Sequence, residues 1–367
     1  MTGNFELYMA RRHLQSGRRS AFISTIAIIA GAGIMVGTAA LIVVISVMGG
    51  YEIELRNMIM GLNAHGNAVK LTGTFHHYKE QVKTVESTKG VQHAGAFILR
   101  EVMLTSKGGV GGILIKGIEP EKAALVNDLS RYIRPARDGV QEVGNYKWLG
   151  DPEGLLKWTQ EKRKNEKTAE PVKGAVEDKP AAYEFDPRAK QRDQVLSAIV
   201  IGRQMAKQLK VEVGDEVNVV NPLGGGIGPT GPQPSNRWFR VGGIFYSGMY
   251  EYDLKFAFTD LGSLQSFANM DDDEAMAVEF KVDEDKILDT SAIAAEVEER
   301  LGGFPYKVRD WREMNHNLFS ALKLERFTMF IILAFITLVA AFNIASTLIM
   351  MVIEKTKEIA ILKSMGA

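Results

Sequence analysis

The chain has 367 residues, with 44 basic and 44 acidic side chains and no cysteine. A net charge of zero gives no bulk attraction for nucleic acid, and the lack of cysteine excludes disulfides and thiolate metal sites. The mean hydropathy of −0.05 resembles that of a soluble protein, but this average hides two strongly apolar segments.

The two apolar segments are predicted to be transmembrane helices, at 23–48 and 327–353. No charged side chain lies between Arg19 and Glu52, or between Arg326 and Glu354. Each run exceeds the ~20 residues that a helix needs to cross a bilayer. A buried helix of a soluble protein is the alternative for both, and a cleaved signal peptide for the first, although that run is long for a signal sequence.

Basic residues flank both predicted spans on one side. Four arginines precede the first span and three lysines follow the second: Arg11, Arg12, Arg18, Arg19, Lys355, Lys357 and Lys363. The positive-inside rule places both ends in the cytoplasm. We therefore predict a cytoplasmic amphipathic segment (1–22), a large periplasmic domain (49–326) and a cytoplasmic segment (354–367).

The first span contains three closely spaced glycines, Gly31, Gly33 and Gly37. Small residues let a neighbouring helix approach closely. The outer half of the span is richer in Leu, Ile, Val and Met, so it could face lipid, another helix or a lipid-like substrate.

The periplasmic region is predicted to be mixed α/β. Alternating apolar residues and helical spacing indicate short elements. The predicted strands are 96–104, 110–116, 194–201, 211–220 (with its turn), 238–245, 255–258 and 277–282, and the predicted helices are 203–209, 260–268 and 287–301.

Two stretches of this region differ from the rest. Residues 151–193 carry ten basic and ten acidic side chains and few aliphatic ones, which predicts a mobile insertion, with a helical surface arm as the alternative. In 222–234, nine of thirteen residues are Gly or Pro, which predicts an exposed excursion between two strands. That loop is either a floppy linker or a protein-binding finger, because its prolines limit the entropy lost on docking.

No catalytic motif is visible in the sequence. There is no Gly-Lys dipeptide and hence no P-loop, and Gly226-x-Gly228-x-x-Gly231 is a poor dinucleotide fingerprint because prolines surround it. His76-His77 is predicted to lie in a solvated loop. The acidic run 271–274 is predicted to be a surface feature, with a weak cation site as the alternative. We expect no enzyme activity and no cofactor in this chain.

Several segments resemble the LolC/LolE family of lipoprotein-releasing ABC permeases. The run 40–57 (ALIVVISVMGGYEIELRN) and 60–65 resemble the exit of the family's first span. Residues 341–352 and 354–367 (EKTKEIAILKSMGA) resemble its second span and coupling helix, a pattern shared with FtsX/MacB-type permeases. Residues 201–206 and 214–215 match its periplasmic core.

The resemblance implies an α+β membrane protein of the type VII ABC permease fold. Its two transmembrane helices would flank a MacB-like periplasmic domain with Porter-like and Sabre-like subdomains. Members of the family have two further spans after the coupling helix, whereas this sequence stops at Ala367. The resemblance therefore implies a chain that ends before the last two spans, either as a fragment of a longer protein or as the product of a truncated or split gene.

The resemblance also implies a function in the inner membrane. Such a subunit extracts triacylated lipoproteins from the bilayer and passes them to the periplasmic carrier LolA by mechanical transmission. A separate LolD-type subunit uses ATP and magnesium. A second LolC/LolE-type permease subunit, in a homodimer or a heterodimer, and membrane lipid complete the implied partners, and nucleic acid is not among them.

Site residues follow from the same resemblance. The carrier-binding Hook and Pad would comprise Pro222, Pro229, Gly231, Pro234, Asn236 and Arg237, although one Pad position that is basic in the family is Asn218 here. The lipoprotein acyl chains would meet Val43, Val44, Val47, Met48, Phe327, Phe330 and Ile331. The ATPase would couple through Glu354, Lys355, Glu358, Ile359 and Leu362.

Three other functions remain as alternatives. A MacB-like exporter would normally carry its own ATPase domain ahead of the first span, where only about twenty residues stand here. A two-span receptor or an FtsX-like regulator would bind a periplasmic hydrolase and no carrier. A membrane enzyme would need a catalytic constellation.

Overall fold

The computed structural model describes residues 21–133, 144–168, 193–222, 224, 227–228 and 231–366. The helices are α1 Ala21–Leu62, α2 Tyr78–Glu86, α3 Pro120–Val126, α4 Leu129–Tyr132, α5 Pro152–Thr168, α6 Arg203–Leu209, α7 Tyr250–Lys255, α8 Leu261–Phe267, α9 Thr290–Arg300, α10 Trp311–Met314 and α11 His316–Ser364. The strands are β1 Gly66–Lys70, β2 Phe75–His76, β3 Val91–Ser106, β4 Gly109–Ile118, β5 Ala198–Gly202, β6 Glu216–Asn221, β7 Ile227–Gly228, β8 Gly231–Pro232, β9 Ser235–Phe245, β10 Phe256–Asp260, β11 Glu274–Ala275, β12 Ala277–Val282 and β13 Tyr306–Asp310.

The chain divides into two compact units, one of Met1–Leu55 with His316–Ala367 and one of Arg56–Asn315. In the first unit, two helical segments are long and apolar enough to cross a membrane, Gly31–Glu54 and His316–Ile361. They cover most of the two predicted spans. The predicted segment 354–367 continues α11 as far as Ser364, and the predicted amphipathic segment falls mainly on residues 1–20, outside the described residues.

The second unit is built on a nine-stranded sheet in the order β13-β1-β12-β3-β4-β10-β5-β9-β6. Strand β6 also pairs with β3, Met103 lying opposite Val220. Strands β3, β4, β10, β5, β9 and β6 therefore close into a six-stranded barrel, while β12, β1 and β13 extend the sheet on one side of β3. The predicted α+β fold with two long apolar helices is confirmed.

Most predicted strands and helices exist, with shifted ends. The predicted pair 96–104 and 110–116 is the antiparallel hairpin β3–β4, in which Ser106 lies opposite Gly109. The helix α6 and the strand β12 have the predicted bounds. The strand predicted at 194–201 begins only at Ala198, and β1, β13, α2 and α3 have no counterpart in the sequence predictions.

Part of the charged stretch 151–193 is an ordered helix, as in the alternative interpretation. In α5, Leu155 is fully buried and the ring of Trp158 lies 4.7 Å from that of Trp148. Arg163 Nη2 lies 2.7 Å from Glu216 Oε1 on β6. The prediction of a mobile insertion is therefore wrong for 152–168, because a few apolar side chains and one ion pair suffice to dock a helix. Residues 169–192 lie outside the described part.

Both long helices connect to one corner of the sheet. Gly66 at the start of β1 lies opposite Asp310 at the end of β13. Three residues separate Gly66 from the end of α1, and five separate Asp310 from the start of α11. His65 binds this corner together: its carbonyl accepts from Trp311 N–H at 2.9 Å, and its Nδ1 accepts from Val282 N–H at 3.1 Å.

His65 should make the stability of this corner depend on pH. Burial, followed by the charge of Lys281, lowers the pKa of His65, and its Nδ1 must stay unprotonated to accept from Val282. The unfolded chain takes up a proton near the ordinary histidine pKa of about 6.5, whereas the folded chain resists it. Stability present above that pH is thus lost as the pH falls, by at most about 1.4 kcal/mol per pH unit.

Thermal unfolding of the detergent-solubilised chain, followed by tryptophan emission, measures this loss. His65→Asn keeps an acceptor without a titrating ring and should flatten the pH dependence below 6.5. His93→Gln removes a more exposed histidine and should leave it unchanged. An unchanged profile in His65→Asn would refute the assignment.

Candidate functional site

An apolar groove of about 400 Å³ lies between α1 and α11 within the first unit. That volume falls in the range of small-molecule binding pockets. The groove is lined by Ile45, Met48, Gly49, Glu52, Leu322, Glu325, Arg326, Met329, Phe330 and Leu333.

Helical spacing explains how these residues meet. On α1, Ile45, Met48 and Glu52 follow one another at intervals of three and four residues, which places them on one face of the helix. Leu322, Arg326, Met329 and Leu333 are spaced in the same way on α11. These two faces form the walls of the groove.

A charged rim closes one end of the groove. Arg326 Nη2 donates to Glu52 Oε2 at 2.5 Å, and the two side chains are 70% and 35% exposed. An ion pair this exposed contributes at most about 1 kcal/mol, so it opens easily. Apolar walls beside a charged rim suit an amphiphile, with its hydrocarbon chains inside and its polar part at the rim.

The structure places only part of the predicted acyl-binding set in the groove. Met48 and Phe330 line it. The other five predicted residues lie outside the lining with exposed side chains: Val43, Val44, Val47, Phe327 and Ile331. Sequence reasoning missed Ile45, Met329 and Leu333. A three-residue spacing from Met48 and from Phe330 would have found Ile45 and Leu333, and a four-residue spacing back from Leu333 would have found Met329.

Of the three glycines in the first span, only Gly37 lies close to the other helix. A Cβ atom on Gly37 would sit 3.7 Å from Ile336 Cγ2, whereas one on Gly31 or Gly33 would meet nothing within 4 Å. The expectation of close helix approach therefore holds at Gly37 alone within this chain.

The predicted carrier-binding residues gather around the β6–β9 hairpin. The loop 222–234 joins these antiparallel strands, as predicted, and contains the small ribbon β7–β8, in which Gly231 pairs with Gly228. Pro222, Pro234 and Asn236 are exposed. Pro229 lies outside the described residues.

The base of this hairpin is fixed to the rest of the unit. Arg237 Nη1 donates to Ser263 O at 3.0 Å, and Asn269 Nδ2 donates to Gly224 O at 3.2 Å. Asn218 lies opposite Trp238, and its Oδ1 is buried without a hydrogen-bond partner in the described part of the chain. Asn218 is half-buried on the strand face opposite the core residues Val217 and Val219 and offers no basic group.

The predicted coupling residues all lie in the last turns of α11. The side chains of Lys355 and Ile359 are exposed, and those of Glu354, Glu358 and Leu362 lie outside the described residues.

The histidine pair lies beside acidic residues. His76 Nδ1 is 3.0 Å from Glu274 and His77 Nδ1 is 2.5 Å from Asp273, and both histidines are largely exposed. In the described ranges, no group of three or more His, Asp or Glu side chains is placed to hold a metal ion.

Comparison with known proteins shows similarity to LolC and LolE proteins over nearly the whole chain. No protein-family model matches the chain. The LolC lipoprotein-releasing system transmembrane protein of Neisseria meningitidis serogroup B is 28% identical over 363 residues, 99% of this chain and 74% of the relative. The predicted LolC/LolE resemblance is confirmed. LolC of Xylella fastidiosa is 27% identical over 97% of the chain and 72% of the relative, and LolE of Haemophilus influenzae is 24% identical over 99% and 75%.

Two solved structures are also similar. The extracellular domain of the noncanonic ABC-type transporter YknZ from Gram-positive bacteria has a TM-score of 0.35 at 14% identity, covering 66% of this chain and 98% of that chain. The periplasmic region of MacB from Actinobacillus actinomycetemcomitans has a TM-score of 0.37 at 8% identity, covering 71% and 95%.

Packing at Gly37 predicts a position-specific effect of a larger side chain. Gly37→Leu should push α1 from Ile336 and lower the thermal stability of the solubilised chain, because a Cβ at this position already contacts Ile336 and the further carbons of leucine would crowd it. Gly33→Leu, four residues before Gly37 and in open space, is the matched control and should leave the melting temperature unchanged. Equal effects of the two substitutions would contradict the contact.

Proposed function

We propose that this chain is a permease subunit of a lipoprotein-releasing ABC complex of the type VII fold. It takes lipoproteins from the inner membrane and passes them to a LolA-type periplasmic carrier. A separate LolD-type subunit hydrolyses ATP, and a second LolC/LolE-type subunit completes the permease. The observation that carries the proposal is the groove between α1 and α11, in a chain that resembles LolC and LolE over nearly its whole length.

The groove fits the chemistry of a lipoprotein. Burial of hydrocarbon contributes about 0.8 kcal/mol per methylene, so a groove walled by Ile45, Met329 and Leu333 favours acyl chains. The Glu52–Arg326 pair at the rim matches a polar headgroup or peptide. Since such burial holds the cargo tightly, its release requires work, which ATP hydrolysis in the partner would supply.

The corner at His65 supports mechanical transmission. Both long helices join adjacent strands, β1 and β13, through connections of only three and five residues. The hydrogen bonds of His65 to Trp311 and Val282 link these connections to β12. A movement of either helix would therefore reach the sheet with little slack.

The β6–β9 hairpin supports docking of a carrier. Its loop extends from strands that the barrel fixes on both sides, and Pro222 and Pro234 limit the freedom of its two ends. A regulator of a periplasmic hydrolase could use a similar loop. The groove favours the transport function, because a regulator needs no acyl site.

A photoreactive amino acid at position 333 should crosslink to lipoprotein in the assembled complex. Leu333 lines the groove, whereas the adjacent Ile332 is 48% exposed and points about 100° away around the helix. Position 332 is therefore the matched control and should give much weaker crosslinking. Equal crosslinking at both positions, or none at 333 in a folded complex, would exclude the groove as the cargo site.

A second photocrosslinking experiment tests the carrier. A probe at position 236, exposed on β9, should capture purified LolA-type carrier, and the product should diminish when Pro222 and Pro234 are replaced by Ala. A probe at Val195, also exposed but outside the hairpin, serves as the control. Capture at 333 without capture at 236 would retain a lipoprotein permease and reject this hairpin as its carrier site.

A further inference from the structure

The apolar groove between α1 and α11 carries an excess of negative charge at its rim. Among the described residues that line it, three are charged, namely Glu52, Glu325 and Arg326. Glu52 and Arg326 pair with each other, so their charges cancel. Glu325 is half-buried and forms no ion pair with any residue in the described part of the chain. The rim therefore keeps one unbalanced carboxylate beside walls that favour hydrocarbon.

Helical spacing directs Glu325 toward the groove. Leu322 lies three residues before it on α11 and Met329 lies four residues after it, and both line the groove. A carboxylate that is partly withdrawn from water without a partner cation lowers the stability of the folded chain. The position of Glu325 is therefore better explained by what the groove must bind or reject than by the stability of the helix pair.

Apolar walls alone do not distinguish a lipoprotein from a phospholipid, because both present acyl chains. The groups attached to those chains differ in charge. The lipidated end of a triacylated lipoprotein carries no phosphate, and its amides offer N–H donors, which a carboxylate accepts. An anionic phospholipid brings a negative phosphate to the same place. The carboxylate of Glu325 matches the first group and repels the second.

We propose that Glu325 is a specificity-determining residue that keeps anionic phospholipids out of the groove and leaves the groove to acylated cargo without a phosphate. Two like charges about 4 Å apart repel strongly enough, even in bulk water, to change an equilibrium about fivefold. The Glu52–Arg326 pair adds to the effect, because it occupies the guanidinium that would attract a phosphate. When that pair opens, both carboxylates still lie at the rim. The inference rests on the proposed function, since it requires that the groove binds acyl chains.

The test compares two lipids that have the same acyl chains and differ in charge. Radiolabelled diacylglycerol, which is uncharged, and phosphatidylglycerol, which is anionic, are added to the assembled complex in phosphatidylcholine vesicles. A photoreactive amino acid at Leu333 captures lipid in the groove, and the same probe at Ile332, which is 48% exposed, corrects for lipid outside it. Glu325→Gln removes the charge at nearly constant shape. Glu54→Gln removes the same charge from an exposed residue of α1 outside the lining and is the matched control.

Relative to position 332, the probe at 333 should capture diacylglycerol at least about fivefold more strongly than phosphatidylglycerol. Glu325→Gln should remove most of this preference and Glu325→Lys should reverse it, whereas Glu54→Gln should retain it. Equal capture of the two lipids before substitution overturns the inference. A preference that survives Glu325→Gln, or that Glu54→Gln removes equally, also overturns it, and both results leave the groove as an acyl site. If neither lipid is captured at 333 above the level at 332, the groove takes no acyl chain, and the proposed function fails together with the inference.

Discussion

The architecture of the second unit depends on strand β3, because this strand belongs both to the six-stranded barrel and to the sheet that β12, β1 and β13 extend. Its first half pairs with β12, and its second half pairs with β4 on one side and with β6, from Met103 to Thr105, on the other. Sixteen residues are needed for this double role, about three times a typical strand. The β6 pairing removes the sheet edges that the barrel would otherwise expose, so the β6–β9 hairpin extends from a closed barrel wall.

Charged groups buried around β3 restrict the register in which its neighbouring strands can pair. Lys116 on β4 pairs with Glu279 on β12 across β3, and Lys116 Nζ also lies 4.5 Å from the ring centroid of Phe97. Burial, aided by Glu279, raises the pKa of Tyr146 beside them. Because an unpaired buried charge costs several kcal/mol, any register that separated Lys116 from Glu279 would be strongly disfavoured. The buried Glu216, shared by Arg163 and Arg240, fixes α5 on the barrel in the same way.

The elements that sequence reasoning predicted are those with a strong local signal. Alternating apolar residues marked β3 and β12, and unbroken apolar runs marked the two long helices. The strands β1 and β13 were missed, because five residues of mixed polarity such as Gly66–Lys70 show no clear alternation of apolar and polar side chains. These two strands form by pairing with each other, which no local pattern predicts. The helix α5 was missed because the prediction relied on the number of charged residues in 151–193. It gave too little weight to Leu155 and Thr159, which are four residues apart and both buried.

The site was predicted only in outline for a related reason. A resemblance indicates which segments matter, but the direction of each side chain around a helix depends on the partner helix. The predicted set therefore combined Met48 and Phe330 with neighbours such as Val43 and Phe327 on other faces. The ion pair of Glu52 with Arg326 joins residues far apart in sequence, and no local pattern reveals such a pair.

If the chain has the proposed function, the polarity of its surfaces gives a physical reason for the order of events in the release of a lipoprotein. Inside the groove the walls are apolar, the Glu52–Arg326 rim is charged and weak, and the hairpin beyond β6 and β9 is exposed and constrained by proline. Cargo would lose hydrocarbon contacts gradually while its polar part is already solvated at the rim. In that function the costly step would be the extraction of the acyl chains, and the short connections from α1 to β1 and from β13 to α11 would suit it better than a flexible linker.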